Sequence, residues 1–489
     1  MSEPGAALAP RRLHPVGALL VGARIVRELL VGALLGSSYA VLSDGLSSRS
    51  AAIALAALAA VVALAALAGY LSWRATTYAV AGGAVVLRRG VLGRRETSVP
   101  LERVSALDTE QGPVQRFFGV LELRIQAAGG GKAPEIWLGA VTAGAAEELR
   151  AALASSGAAG VAETREERVP PLRRLGTRAL VVAALSSGQI GVAVPLVAGA
   201  LQYVDDFGEG YAEAAIDAVA ASTSLALAAL LVVLVAAWTL SILGTVIAFS
   251  GFSVSRRGDR LLVERGFLRR RVTTIPIARI QAVRIVEGVL RQPLGLAQLR
   301  VESAGYASEA PVNTTLFPLI RHDEVSGFLA AAVPQLAGAI EPLRRPPRRS
   351  LIRFGALPAL ACLLATVALA ARPDGREAAV AAVSLGLAAL ALGHALLRYR
   401  AAGWRLDHGR LVARSRRLAR TTVVAAVDRL QTRTLVEGSF ERPLGLATFA
   451  FALASRARFR IPHLDAGSAR RLLAALRGGG SVRGPLSSG

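Results

Sequence analysis

One block of sequence occurs three times in this 489-residue chain, each copy directly after a pair of long apolar stretches, and this repetition limits the architecture more than any other feature. An aligned run marks the copies: VQRFFGVLEL at 114–123, LRQPLGLAQL at 290–299 and FERPLGLATF at 440–449, with Gly119, Gly295 and Gly445 at the same place in each. The repeat predicts one module built three times and tethered three times.

Within each block an aromatic residue, Tyr78, Phe252 or Trp404, opens a short strand-like run. A turn follows at Gly82 and Gly83, at Gly258 and Asp259, or at His408 and Gly409, and then a second apolar run, which is the pattern of a hairpin. Alternating runs continue at 97–104, 273–283 and 421–430, and again at 121–127, 297–303 and 448–454. Each block closes with apolar residues at helical spacing: Ala146, Leu149 and Leu153; Val325, Phe328, Leu329 and Ala332; Ala469, Leu472, Leu473 and Leu476. A curved antiparallel sheet closed by one helix is expected.

The apolar stretches pair as 25–42 with 51–71, 179–203 with 225–249, and 357–371 with 379–397. About 20 helical residues cross about 30 Å of hydrocarbon, so six membrane-spanning helices in three hairpins are expected, and the fold class is an α+β membrane protein. The predicted boundaries are hairpins at 1–72, 179–249 and 354–398, blocks at 73–155, 250–336 and 399–477, connectors at 156–178 and 337–353, and a tail at 478–489. Arg11 and Arg12, then Arg173, Arg174 and Arg178, then Arg344, Arg345, Arg348, Arg349 and Arg353 precede the odd-numbered stretches, while 205–217 carries Asp205, Asp206, Glu209, Glu213 and Asp217. Basic flanks belong on the cytoplasmic side, which would place both termini and all three blocks at the cytoplasmic face of the membrane. Arg24, Arg27 and Glu28 read as an interfacial entry with snorkelling arginines. The amino terminus lacks the pattern of a secretory signal, so the chain reads as mature.

Composition supports a membrane class, with 53% apolar residues. The net charge of +23, 57 basic against 34 acidic residues, would fit nucleic acid. Lys132 is the only lysine, however, so the excess is an arginine bias, and the aromatics form no stacking platform beside a basic groove; no nucleic-acid partner is expected. Cys362 is alone, which rules out an intramolecular disulfide. His14, His322, His394, His408 and His463 are scattered without acidic partners at metal or triad spacing, and Gly129, Gly130 and Gly131 are not followed by the Lys-Ser of a phosphate loop. No catalytic residue, cofactor or metal site is expected, and the acidic 205–217 segment reads as an outside loop.

A second recurrence carries a family resemblance. Pro100, Arg103, Val104 and Leu107 lead to Arg116, Gly119 and Val120; Pro276, Arg279, Ile280 and Val283 lead to Gln292, Gly295 and Leu296; Arg429, Leu430 and Gln431 lead to Arg442, Gly445 and Leu446. These residues resemble the bacterial membrane-anchored PH-like domains of the DUF304 type, in their three-domain form. The resemblance implies a seven-stranded, partly open sandwich or barrel with a carboxyl-terminal helix, and no established ligand. The third block lacks the proline and reads as holding one extra residue before Arg429.

The candidate headgroup contacts are the basic clusters beside the early strands: Arg88, Arg89, Arg94 and Arg95; Arg269, Arg270 and Arg271, with Arg265 nearby; Arg416, Arg417 and Arg420, with Arg414 nearby. The recurrent Arg103, Arg279 and Arg429 read as fold buttresses bonded to backbone carbonyls. The expected function is a non-catalytic interaction or lipid-contact module in the cell envelope, its partner the bilayer and its anionic headgroups. Two alternatives are an export or resistance protein for an amphipathic peptide or lipid, and a scaffold for a protein partner.

Overall fold

A computed structural model describes residues 8–26, 48–91, 93–127, 136–155, 170–186, 222–267, 270–303, 314–370, 377–455 and 457–477. The chain divides into two compact units, Met1–Pro276 and Ile277–Gly489, so the boundary falls inside the second block.

In the first unit, Leu8–Arg12 (β1), Thr77–Ala81 (β2), Ala84–Arg89 (β3) and Arg95–Pro100 (β4) form one antiparallel sheet in that order. Tyr78 pairs with Leu87 and Val80 with Val85, so period-two alternation puts all four on one buried face. The β2–β3 turn places Gly82 and Gly83 at φ 58° and 72°, where a Cβ costs about 1–2 kcal/mol, which explains the glycine pair. A 3-10 turn at Leu101–Arg103 then redirects the chain into Val104–Gln111 (β5), Val120–Ala127 (β6) and Ile136–Thr142 (β7). Leu123, Ile125, Ile136 and Leu138 meet Ala146 and Leu149 of the closing helix Ala143–Ser155 in one core with the β2 and β3 residues.

β1 lies ahead of the long helix α1 (Ser48–Arg74), yet Arg11 pairs with Tyr78 and Arg12 with Thr77. The pattern repeats. Arg173–Arg174 (β8) precedes the helices Thr177–Leu185 (α2) and Thr223–Phe249 (α3) and pairs with Ser253–Arg257 (β9); Arg344 bridges Trp404 in the second unit. The first and second blocks therefore take a strand from in front of their helices, ahead of the expected boundaries at 73 and 250, and the third takes a single bridge there, ahead of 399. Arg11, Arg12, Arg173 and Arg174, which read as flanking charges, are strand residues, and Arg11 bonds Glu148 of the closing helix at 2.6 Å.

β9, Arg260–Arg265 (β10) and Arg270–Pro276 (β11) do not form a separate sheet. They join the second half of the first block in a seven-stranded sheet of order β7-β6-β5-β11-β10-β9-β8. At this joint Arg270 faces Gln111, Arg271 faces Glu110 and Val272 faces Thr109. The second unit repeats the device. Ile280–Glu287 (β12), Leu296–Ser303 (β13) and Thr315–Arg321 (β14) join Gly403–Asp407 (β15), Arg410–Arg416 (β16) and Arg420–Ala426 (β17) in a six-stranded sheet whose joint is β12 against β17, from Ala282 opposite Ala425 to Glu287 opposite Arg420. Leu430–Val436 (β18), Leu446–Leu453 (β19) and Arg458–Asp465 (β20) form the last sheet, and Ala466–Arg477 closes the third block over Phe449, Phe451, Ile461 and Leu464.

Two expectations are overturned. The third block holds no extra residue: β17 and β11 both begin nine positions before their recurrent arginine, and Ala426 stands where Pro100 and Pro276 do. The six membrane-spanning helices are not supported, because no helix among the described residues is long and apolar enough to cross a membrane. Counting apolar letters weighs alanine like leucine, although a single methyl brings little apolar area, and α1 is alanine-rich throughout. Leu351–Ala370 (α4) has Arg353 in its first turn, and Glu377–Ala401 (α5) ends with Arg398 and Arg400. Segments 27–47 and 187–221, with Arg27, Glu28 and the acidic loop, lie outside the described residues, as do Lys132 and the Gly129–Gly131 run.

Candidate functional site

The basic clusters fall on the β3–β4, β10–β11 and β16–β17 hairpins, at the end away from the glycine turns. In the first block Arg89, Arg94 and Arg95 are exposed, and Arg88 is an exposed partner of Glu96 at 2.9 Å. In the second, Arg270 is exposed and bonds Glu264, whereas Arg269 lies outside the described residues. In the third, Arg417 is exposed and Arg416 half-buried, burial lowering the pKa of Arg416 with Arg420 adding to the effect.

Two of the clustered arginines are taken up by the joints. Arg271 is buried and donates to Asp108 Oδ2 at 2.9 Å across β5–β11. Arg420 donates from Nε to Glu287 Oε2 at 2.5 Å and from Nη2 to Oε1 across β12–β17, with His322 Nδ1 3.3 Å from the same carboxylate. Glu287 is fully buried, and burial alone would raise its carboxyl; bonds from His322 and Arg420 and their charges outweigh this and bring its pKa down to about 2. Arg414 is likewise committed, to Glu341 at 2.6 Å. Arg271 and Arg420 thus cross-link blocks, and Arg414 ties the third block to the connector before it.

Beside each hairpin end stands an exposed apolar side chain: Val91, Phe267 or Leu418, the last two 72% and 70% exposed. The joints bring a second apolar group to the same place. Because Arg270 faces Gln111, the run carrying Val114, Phe117 and Phe118 starts next to the β10–β11 hairpin end, and Phe117 is 85% exposed. Because Arg420 faces Glu287, the run carrying Val289, Leu290 and Leu294 starts next to the β16–β17 hairpin end, and Gln292 Nε2 bonds the Leu418 carbonyl at 3.4 Å. Each joint thus builds a composite patch of arginines and exposed apolar groups. The sequence marked the runs by their repetition but did not signal this role, because the pairing that assembles the patch is non-local.

The patches lie by the ends of the apolar helices. Gly266 N donates to Ser250 O at 2.7 Å, where Ser250 ends α3, and α5 packs on β16. α3 itself leaves Leu231, Val232, Val235 and Leu243 exposed.

Gly119, Gly295 and Gly445 share φ of 64°, 62° and 60°, which accounts for their recurrence at the turn into β6, β13 and β19. Arg103, Arg279 and Arg429 each end the 3-10 turn between the two halves of a block; Arg103 and Arg429 are exposed, and Arg429 pairs with the adjacent Asp428 at 3.3 Å. Carbonyls around this turn are bonded by Gln335, to Ile277 and Ile280, and by Arg433, to Val427.

The third block holds a feature absent from the sequence reading. Glu441 accepts from Gly438 N and Thr448 Oγ1 and lies 2.7 Å from His463 Nδ1, and the Phe354 ring of α4 meets the imidazole edge-to-face at 4.8 Å. Burial lowers the His463 pKa against the opposing pull of Glu441, and Arg353 and Arg398 add to the lowering. Burial would raise Glu441, but its bonds from Gly438, Thr448 and His463 outweigh that and lower it. The pair is an ionised carboxylate on a neutral imidazole, covered by Phe354, and it ties β20 to α4. Among the described residues no group of His, Cys, Asp and Glu could hold a metal ion.

Comparison with known proteins gives three stretches, 21–156, 206–332 and 354–479, that match the model of the Bacterial PH domain family. The UPF0699 transmembrane protein YdbT of Bacillus subtilis (strain 168) is 26% identical over 468 residues, covering 91% of this chain and 93% of that protein. No solved structure matches. With three matched stretches that together cover most of its length, the chain belongs to the Bacterial PH domain family.

Proposed function

We propose that this protein is a non-catalytic, membrane-associated module whose PH-like blocks rest on an anionic lipid surface through the composite arginine–apolar patches. The carrying observation is the repeated register at the joints: the exposed runs that hold Phe117 and Leu290 begin just past Gln111 and Glu287, which face Arg270 and Arg420 at the hairpin ends that carry the exposed Phe267 and Leu418. Arginines near an anionic leaflet contribute on the order of 1 kcal/mol each, and apolar side chains entering the headgroup region about 0.8 kcal/mol per buried CH₂, so a patch with both binds more firmly than either alone. The word transmembrane in the relative's name supports a membrane location for this chain as well. We place the blocks on the cytoplasmic side, where anionic lipid is concentrated.

The test uses an environment-sensitive fluorophore on a cysteine at Phe267 or Leu418, in protein carrying Cys362→Ser and held in nanodiscs. A blue shift that requires anionic lipid and fades with salt is expected; a probe at Asp259, at the other end of the same strands, stays unshifted. Identical behaviour at Phe267 and Asp259 would refute the reading.

A further inference from the structure

We propose that copies of this chain join head to tail, β18 of one copy pairing with β4 of the next by the geometry that already joins the blocks within the chain. Inside one chain the first strand of a block's second half pairs with the third hairpin strand of the following block, twice: β5 with β11 and β12 with β17. Among the described residues, repetition leaves one strand of each kind at a sheet end, β18 ending the last sheet and β4 ending the first.

Their exposure marks them as the open halves of this joint. In β12 every residue is buried or half-buried and in β17 Thr422 through Ala425 are buried, whereas in β18 Gln431, Thr432, Thr434 and Val436 are exposed, and in β4 Arg95, Glu96 and Ser98. An unpaired strand edge is a template for another strand, and these edges carry the polar side chains that a strand exposed in the single chain needs. Such an edge suits a reversible contact.

Aligning the blocks gives the register. Arg94 and Glu437 occupy the places of Arg420 and Glu287, so the charge pair that seals the β12–β17 joint has its counterpart across the two copies, and Thr97 falls opposite Thr434. Glu437 is half-buried and, in the single chain, is held by Arg470 of its own closing helix at 2.8 Å. The same pairing brings Phe440, 74% exposed, beside Val91 and Arg94, completing a third composite patch of the kind found at the internal joints. The contact is heterologous, so it propagates into a ring or a linear array.

The experiment co-expresses two differently tagged full-length chains in a Cys362→Ser background, one with Thr97→Cys and the other with Thr434→Cys, and treats membranes with a short bismaleimide. An adduct carrying both tags is expected, with none when Asp259→Cys replaces Thr97→Cys. Glu437→Arg should lower the adduct about tenfold or more, and Arg94→Glu in the other chain should restore it. No adduct above the Asp259 control overturns the proposal. So does a link found only within a single chain carrying both cysteines, an adduct indifferent to Glu437→Arg, or a loss that Arg94→Glu fails to restore.

Discussion

Replacing Glu287 with glutamine keeps the shape of the β12–β17 joint and removes its charge. Glu287 is fully buried at the last position of β12, bonded twice by Arg420 and approached by His322. Its carboxyl sits near 2 against an ordinary 4.5, a difference of about 2.5, which corresponds to about 3 kcal/mol of preference for the ionised form in the folded chain. Removing one member of a buried ion pair costs about 3–5 kcal/mol, so both routes give about 3 kcal/mol, the lower end being appropriate because Arg420 retains some exposure. The sign also follows. A depressed carboxyl contributes fully above pH 4.5, and its contribution is lost as the pH falls from there to about 2. Hydrogen exchange read by mass spectrometry at neutral pH should show the β17 amides of Glu287→Gln opening about a hundredfold more often than wild type, with β19 amides unchanged. Acid-induced opening of the joint in the wild type should track the window between 4.5 and about 2, and the variant should lack this step. If β17 exchange in the variant stays within about threefold of wild type, the pair does not hold the joint and the reasoning fails.

At the other joint, Asp108→Asn removes the charge from a pair as buried as the first, and increased exchange confined to β5 and β11 is expected, with β2 and β3 unaffected. Gly295→Ala meets no atom within 4 Å but must hold φ 62°, so a loss of about 1–2 kcal/mol in chemical denaturation is expected from backbone strain alone. His463 has a folded pKa below 6.5, so its contribution is present above pH 6.5 and is lost as the pH falls through the lowered folded value. Protease susceptibility of the segment joining α4 to the third block should rise with that acidification, and His463→Gln should remove the pH dependence.

Much of each block was legible because its determinants are local. Tyr78, Phe252 and Trp404 at strand starts, glycines at the tight turns and i, i+3, i+4 apolar spacing in the closing helices each act within a few residues. Where the apolar stretches are described they were legible as helices but not as membrane spans: the letters are there, and no described helix is long and apolar enough to cross. The arginine clusters were legible only as charge. Arg89 and Arg417 remain at the surface while Arg271, buried, and Arg420, half-buried, are taken up in joints, and no local property of an arginine separates the two fates.

The sequence by itself determined that one module is built three times, with paired strands, a recurring left-handed glycine and a closing helix, because strand alternation, turn geometry and helical period are written in neighbouring residues. Only the tertiary structure decided that the first two modules borrow a strand from ahead of their helices, that β5 pairs with β11 and β12 with β17, and that β4 and β18 end their sheets among the described residues. Every strand offers the same row of N–H and C=O groups along its edges. Which edges meet is settled by the packing of segments far apart in the chain and by buried charge pairs such as Arg420 with Glu287, whose members lie in different blocks.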